Sequence, residues 1–361
     1  MQLVYLCCFL QQRYLDMLKL HLLSHLLWSP SQDTHFLIIT QPDFREALEK
    51  TFPLDLLHVD FLMKTVTNTF QASAARLDIL DYAKLKYYDK VLYLDTDTLI
   101  TGDLGEIWKL PTQSHFHALC EGSITHSNWG KEFFTPSDYA RYSDHTAFSA
   151  GVLLFSPHPW MYDFFQTCKQ MIRDYVESPD FVEYPYCLEQ PFIVYNAFQR
   201  EIIDNKKMIG LVCFNPHPHI VSESLAVAHF MGGPGDAVSK WDKMTCYMGE
   251  KLKIRHIADL PSPRCWGPWA WETSDMREQL KIRHALKPIH REVYNWLGGQ
   301  VEFEGDECRT PWGTAQFQVD TSDNLEICTA NLRYIGKRLN DGVQFIVIEL
   351  NSLEVSLGTR L

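Results

Sequence analysis

Lys90-Val91-Leu92-Tyr93-Leu94-Asp95-Thr96-Asp97-Thr98-Leu99-Ile100 is the stretch whose reading decides the fold of this chain. Val91 to Leu94 is an apolar run short enough to be a strand buried on both faces. It ends on two carboxylates one residue apart, and a second apolar stretch follows. Carboxylates are rarely buried unless they are paired or hold a metal. A strand ending in Asp-x-Asp can set both acids at the carboxyl edge of a sheet, where open α/β sheets bind ligands. Oxygen ligands suit magnesium or manganese, ions that bridge nucleotide phosphates. Taken alone, the motif reads equally well as a strand followed by a solvated turn.

Outward from this stretch the pattern alternates. Leu3–Phe9 reads as a strand. A helical stripe follows, with Leu15, Leu18, Leu22 and Leu26 widened by Leu23 and Leu27, and Pro30 stops it. Phe36–Thr40 is a second strand, Asp43–Lys50 a helix opened by Pro42, and Leu56–Phe61 a weaker strand. Phe70–Tyr88 has a helical pattern and leads into Asp95-Thr96-Asp97. This β-α-β-α-β-α-β order predicts a parallel sheet with helices on both faces.

Beyond Asp97, Asp103–Trp108 reads as a helical turn, Phe116–Glu121 as a short apolar run and Asn128–His145 as a surface loop. Phe148-Ser149-Ala150-Gly151-Val152-Leu153-Leu154-Phe155 is a strand whose Gly151 would permit a ligand or another backbone to approach closely. Trp160–Val176 is amphipathic. Cys187-Leu188-Glu189-Gln190-Pro191 opens a helix running to Phe198. Val227-Ala228-His229-Phe230 precedes Gly232, Gly233 and Gly235, with Lys240 beyond, a setting suited to a pyrophosphate. Composition shifts at Leu260, where prolines and three tryptophans suggest an aromatic linker. Asp275–Leu297 reads as helix. From Val301 onward the pattern is β. The expected division is 1–258 for the main domain, 259–300 for linker and helix, and 301–361 for a small antiparallel β module.

At 361 residues the chain can bury a sizeable core. A formal net charge of -12 argues against a general grip on nucleic acid. None of the ten cysteines forms a C-x-x-C pair, no Asn-x-Ser/Thr site occurs, and no apolar run reaches membrane-spanning length. Met1–Leu10 lacks the basic residues of a signal peptide and reads as a strand. These features favour a cytoplasmic, reducing compartment.

Four segments in order resemble the retaining glycosyltransferases of family 8, the group containing glycogenin and bacterial lipooligosaccharide galactosyltransferases. Asp95-Thr96-Asp97 resembles the family's DxD, FSAGVLLF its F-N-(S/A)-G-V strand, Glu189-Gln190 its Asp-Gln, and His229-Phe230-Met231-Gly232 its H-F-x-G. The resemblance spans Leu3 to Trp241. It implies a GT-A fold, a Rossmann-like α/β domain with a mixed, mainly parallel sheet. It also implies a UDP-hexose donor, manganese or magnesium, and retention of anomeric configuration. On it, Asp95, Asp97 and His229 would ligate the metal. Phe9, Tyr14, Arg76, Thr96, Ser149, Gly151, Gly232 and Lys240 would bind donor, and Glu189 and Gln190 would act at the sugar. Ser149 replaces the family's Asn, Glu189 is one methylene longer than its Asp, and Lys240 lies further from His229 than the family's Lys. The acceptor is left open between a glycan, a protein and a lipid-linked sugar, and a homodimer is a candidate assembly. Two rival readings are a sugar-phosphate nucleotidyltransferase, which would carry a Gly-rich basic loop where Phe9-Leu10-Gln11-Gln12-Arg13 stands, and a non-catalytic sugar-binding protein.

Overall fold

A computed structural model describes residues 1–29, 31, 33–142, 145–216, 225–233, 236–252, 289–297, 299–305, 307–310, 313–319, 324–328, 333–339, 344–349 and 355–360. They form two compact units, one running to Trp241 and a second from Asp242 onward that also takes in residues 49–53.

The first unit runs β1 (Gln2–Cys8), α1 (Gln12–Trp28), β2 (Thr34–Thr40), α2 (Pro42–Thr51), β3 (His58–Met63), α3 (Thr69–Ala74), β4 (Lys90–Leu94), β5 (Thr98–Ile100), α4 (Gly105–Lys109), β6 (Phe116–Ser123), α5 (Pro136–Tyr142), β7 (Thr146–Phe155), α6 (Pro159–Glu177), α7 (Gln190–Arg200), β8 (Ile203–Asp204), β9 (Val212–Phe214) and β10 (Val227–His229). α8 (Ala237–Leu252) begins in this unit and runs on past Trp241. The main sheet has the order β3-β2-β1-β4-β7-β6-β8. β3, β2, β1 and β4 are parallel, and β7 enters antiparallel between β4 and β6. This is the mixed, mainly parallel sheet expected of a GT-A domain.

Alternation sorts the core. Leu3, Tyr5, Leu37, Ile39, Val91 and Tyr93 share one cluster with Phe164, Phe165, Ile193 and Phe198 from α6 and α7. On the other face His25 of α1 meets Phe36 edge-on at 4.8 Å. α1 is buried from Leu15 to Leu27, polar residues included. A second sheet, β5-β10-β9, sets β5 antiparallel to β10, with Thr98 opposite His229.

Two expectations change here. The stretch from Phe70 to Tyr88 is not one helix: α3 gives way to tighter 3₁₀ turns at Ala75–Asp81 and Leu85–Tyr87. Ala75, Arg76, Leu77 and Ile79 are all buried, so this segment lacks the solvent face of an amphipathic surface helix. The loop expected at Asn128–His145 contains two 3₁₀ turns and α5, with Phe134 and Tyr142 buried.

The second unit is a closed antiparallel barrel of eight strands, β11 (Ile289–Trp296), β12 (Gly299–Gly305), β13 (Glu307–Thr310), β14 (Gly313–Val319), β15 (Asn324–Cys328), β16 (Arg333–Leu339), β17 (Gln344–Glu349) and β18 (Val355–Arg360). Residues 289–296 are therefore strand, not the expected helix. Tyr294 and Trp296 are buried while Asn295 between them is exposed, a period of two. Residues 275–288 and the aromatic linker at Leu260–Trp271 lie outside the described residues. Tyr294, Trp296, Phe303, Phe317 and Phe345 fill the barrel. Gly358 faces Phe345, whose ring would lie 2.2 Å from any added Cβ. Arg338 pairs with Glu292 at 2.9 Å.

Candidate active site

β4 ends at Leu94 and the chain turns through Asp95-Thr96-Asp97 into β5. The turn is tied at both ends. The Asp95 amide donates to the Gly151 carbonyl at 2.9 Å, and the Phe230 amide donates to the Asp97 carbonyl at 2.8 Å. These bonds bring β7 and the end of β10 against the two acids. The candidate ligand atoms of Asp95, Asp97 and His229 all lie within 4.8 Å of one another.

Gly151 makes this approach possible. A Cβ there would sit 2.3 Å from His229 Cε1 and 2.8 Å from Asp95 Oδ2. The β6–β7 register shifts at this point, releasing Ala150 from the ladder. Its amide instead donates to Gln190 Oε1 at 2.9 Å, and the Gln190 amide group donates to the Asn128 carbonyl at 3.2 Å.

Asp97 is the buried acid. Its Oδ2 lies 2.7 Å from Lys240 Nζ and its Oδ1 is 3.3 Å from His229 Nε2. That second contact is not aligned as a hydrogen bond, so Oδ1 has no hydrogen-bond partner among the described residues. Burial raises the Asp97 pKa, but Lys240 and His229 more than reverse this and hold it far below the usual carboxylate range. Burial likewise opposes charge on His229, yet Asp97 and Asp95 raise it above its ordinary value. Lys240 sits in the first turn of α8, where the Asp236 carboxylate accepts from the Ser239 amide at 3.1 Å. Its stem packs where a Cβ on Gly232 would reach, at 3.2 Å from Cγ.

Asp95 is more open. Tyr93 donates its hydroxyl to Asp95 Oδ1, and Arg76 Nη2 lies 3.2 Å from the same atom. Arg76 is buried over the Tyr93 ring at 4.6 Å. Its Nε is 2.8 Å from Glu189 Oε1, and the Ser73 hydroxyl donates to Glu189 Oε2. One guanidinium thus joins Asp95 to Glu189. Glu189 immediately precedes α7 and is 1% exposed. Burial raises its pKa, with Arg76 and Ser73 pulling the other way.

The remaining sequence-derived residues are placed as follows. Thr96 and Ser149 are buried, and Ser149 Oγ accepts from the Gly151 amide at 3.3 Å. Tyr14 lies near enough to Lys240 to act on its charge. Arg13 beside it covers the Trp241 ring at 4.9 Å. Phe9 is buried in the core, and the exposed neighbour at that sheet edge is Leu10. The sequence reading missed Ser73 and Glu121. Glu121, half-buried on β6, hydrogen-bonds Ser149 and feels the charge of His229, while burial raises its pKa. A carboxylate at the end of an apolar run gives only a faint signal.

Two carboxylates and an imidazole form a donor set suited to a divalent cation. The unpartnered Asp97 Oδ1 and the space kept clear by Gly151 fit such an ion.

Residues 57–206 match the family model "Glycosyl transferase family 8". A protein of Haemophilus influenzae (strain ATCC 51907 / DSM 11121 / KW20 / Rd) named "Putative glycosyltransferase" is 24% identical over 227 residues, which is 59% of this chain. The chain spans 64% of that relative's length. Among solved structures, an active-site mutant of LgtC aligns at a TM-score of 0.49 and 18% identity, covering 69% of this chain and 95% of LgtC. The glycosyltransferase GlyE of Streptococcus pneumoniae TIGR4 aligns at 0.42 and 16%, covering 70% of this chain and 62% of GlyE. No helix among the described residues is long and apolar enough to cross a membrane. Asp95-Thr96-Asp97, Gly151 and Glu189-Gln190 all lie inside the segment that is similar to the glycosyl transferase family 8 model.

Proposed function

We propose that this protein transfers a hexose from a UDP-sugar to a glycan, protein or lipid-linked acceptor, with retention at the anomeric carbon. The observation that carries the reading is the convergence of Asp95, Asp97 and His229 on one point, with Lys240 beside them. Asp95, Asp97 and His229 would hold manganese or magnesium. When bound there, the ion would offset charge on the departing diphosphate. Lys240 and the backbone at Gly232 supply further donors for that diphosphate. The acceptor oxygen forms a bond to the anomeric carbon as the bond to the diphosphate oxygen breaks, and the acceptor's proton passes to that oxygen. Glu189 holds Arg76 against Asp95, and Gln190 holds the released Ala150 amide. Both serve as positioning residues, and the geometry favours that role over nucleophilic attack, because both Glu189 oxygens are already engaged. The free thiols among the described cysteines suit a reducing, cytoplasmic setting.

UDP-glucose and UDP-galactose hydrolysis, measured with manganese and with EDTA, tests the reading. Manganese-dependent release of UDP that disappears in Asp97→Asn is expected. Equal release with EDTA would remove the metal from the proposal.

A further inference from the structure

α1 is buried along almost its whole length, yet it carries His21 and Ser24 in its middle. Neither belongs to an apolar stripe. Both face β5, the edge strand of the small sheet. An edge strand leaves backbone groups without a ladder partner, and in a buried place each needs one. His21 Nδ1 lies 2.9 Å from the Thr98 carbonyl, and the Ile100 amide donates to Ser24 Oγ at 2.9 Å. The helix therefore supplies, with two side chains, what a neighbouring strand would have supplied.

The proton on His21 can be assigned. The Thr98 carbonyl can only accept, so Nδ1 carries the hydrogen. The Thr98 hydroxyl, 3.0 Å from the same nitrogen, then turns its own hydrogen to the Asp95 carbonyl at 2.7 Å. His21 Nε2 is left as a bare acceptor in an apolar place and has no partner among the described residues. Burial holds the ring neutral.

We infer that His21 is a positioning residue for the metal-binding turn, acting through Thr98. This rests on the proposed metal site. Thr98 is bonded back to Asp95, it follows Asp97, and it lies opposite His229 in the β5–β10 pair. One residue, fixed by His21, thus sets the spacing of all three candidate ligands. Groups that orient ligands in this way commonly change metal affinity by about 10–100-fold when removed.

Manganese titration of the full-length chain, followed by electron paramagnetic resonance, tests this with two substitutions. His21→Leu fills the space without a donor. His21→Asn places an amide nitrogen where Nδ1 stood. Both lose ring packing, so thermal unfolding should fall similarly in the two. Manganese affinity should drop about tenfold in His21→Leu and be largely kept in His21→Asn. Ser24→Ala, which removes the second anchor on the same strand, should lower affinity in the same direction and serves if His21→Leu does not fold. Equal manganese affinity in the leucine and asparagine variants, or an unchanged one in Ser24→Ala, overturns the positioning role while leaving the metal site intact. Wild-type protein that binds manganese no better than Asp97→Asn overturns the metal site and the positioning role together.

Discussion

Gly151 and His229 share one space: the imidazole fills the position that a side chain at 151 would take, with Cε1 2.3 Å from the ideal Cβ. Neither neighbour can give way cheaply, because Asp95 Oδ2 lies on the same side at 2.8 Å. Gly151→Ala should therefore leave the sheet intact and push His229 or Asp95 off the ligand point. Manganese affinity should fall by about tenfold or more with the circular dichroism spectrum unchanged. Isothermal titration checks this.

A manganese ion in the proposed site would compete with Lys240 for Asp97. The ammonium already lies 2.7 Å from Oδ2, so a cation entering the site must displace it or share the carboxylate. Lys240→Met should raise affinity for manganese alone. It should also weaken UDP by about tenfold, the cost of one charge-assisted hydrogen bond. Separate titrations with metal and with metal plus UDP distinguish the two effects, which have opposite signs.

Removing charge at Glu189 leaves Arg76 buried with Asp95 as its remaining carboxylate. Breaking a buried pair from one side is destabilising, so Glu189→Gln should lower unfolding free energy by about 3 kcal/mol. Turnover should fall with it, because Asp95 loses its fixed neighbour. Urea unfolding and steady-state rates measured on the same variant check the pairing. An unchanged urea midpoint with lost turnover would mean that the carboxylate acts on substrate directly.

Two buried imidazoles give the fold an acid limit. Burial lowers His21 to about 4 and His25 to about 3. Unfolded histidine titrates near 6.5, so the unfolded chain binds more protons below that point. Stability is therefore full above pH about 6.5 and declines as pH falls toward about 4, with His21 alone contributing on the order of 3 kcal/mol across that window. Unfolding midpoints at a series of pH values should show this slope. His25→Phe, which keeps an aromatic ring edge-on to Phe36, should flatten part of it.

The parts of this fold that follow from a local period were legible. The strands around Val4, Phe36 and Leu92 and the helices at Leu15–Leu26 and Trp160–Val176 are written in their apolar spacing. So were the three residues that cluster at the candidate metal site, because Asp95-Thr96-Asp97 and His229 lie in short recognisable strings. What escaped depends on partners distant in sequence. Ser73 and Arg76 break the helical pattern of Phe70–Tyr88 because they turn inward to Glu189, which no local window contains. His21 lies among the leucines of α1, and its partner, the Thr98 carbonyl, is far away in sequence, so no local window marks its role. Ile289–Trp296 alternates only for as long as the barrel lasts, and the helical pattern before it masked the change.

The barrel closes where β18 meets β11, with Arg360 opposite Tyr294 and Thr359 opposite Asn295. Every other pairing joins chain neighbours. That single seam is what makes the sheet endless. Loss of β18, by a shortened transcript or a proteolytic nick before Val355, would not trim the barrel by one eighth. It would open two raw strand edges at once, on β11 and β17, each free to recruit a strand from another molecule.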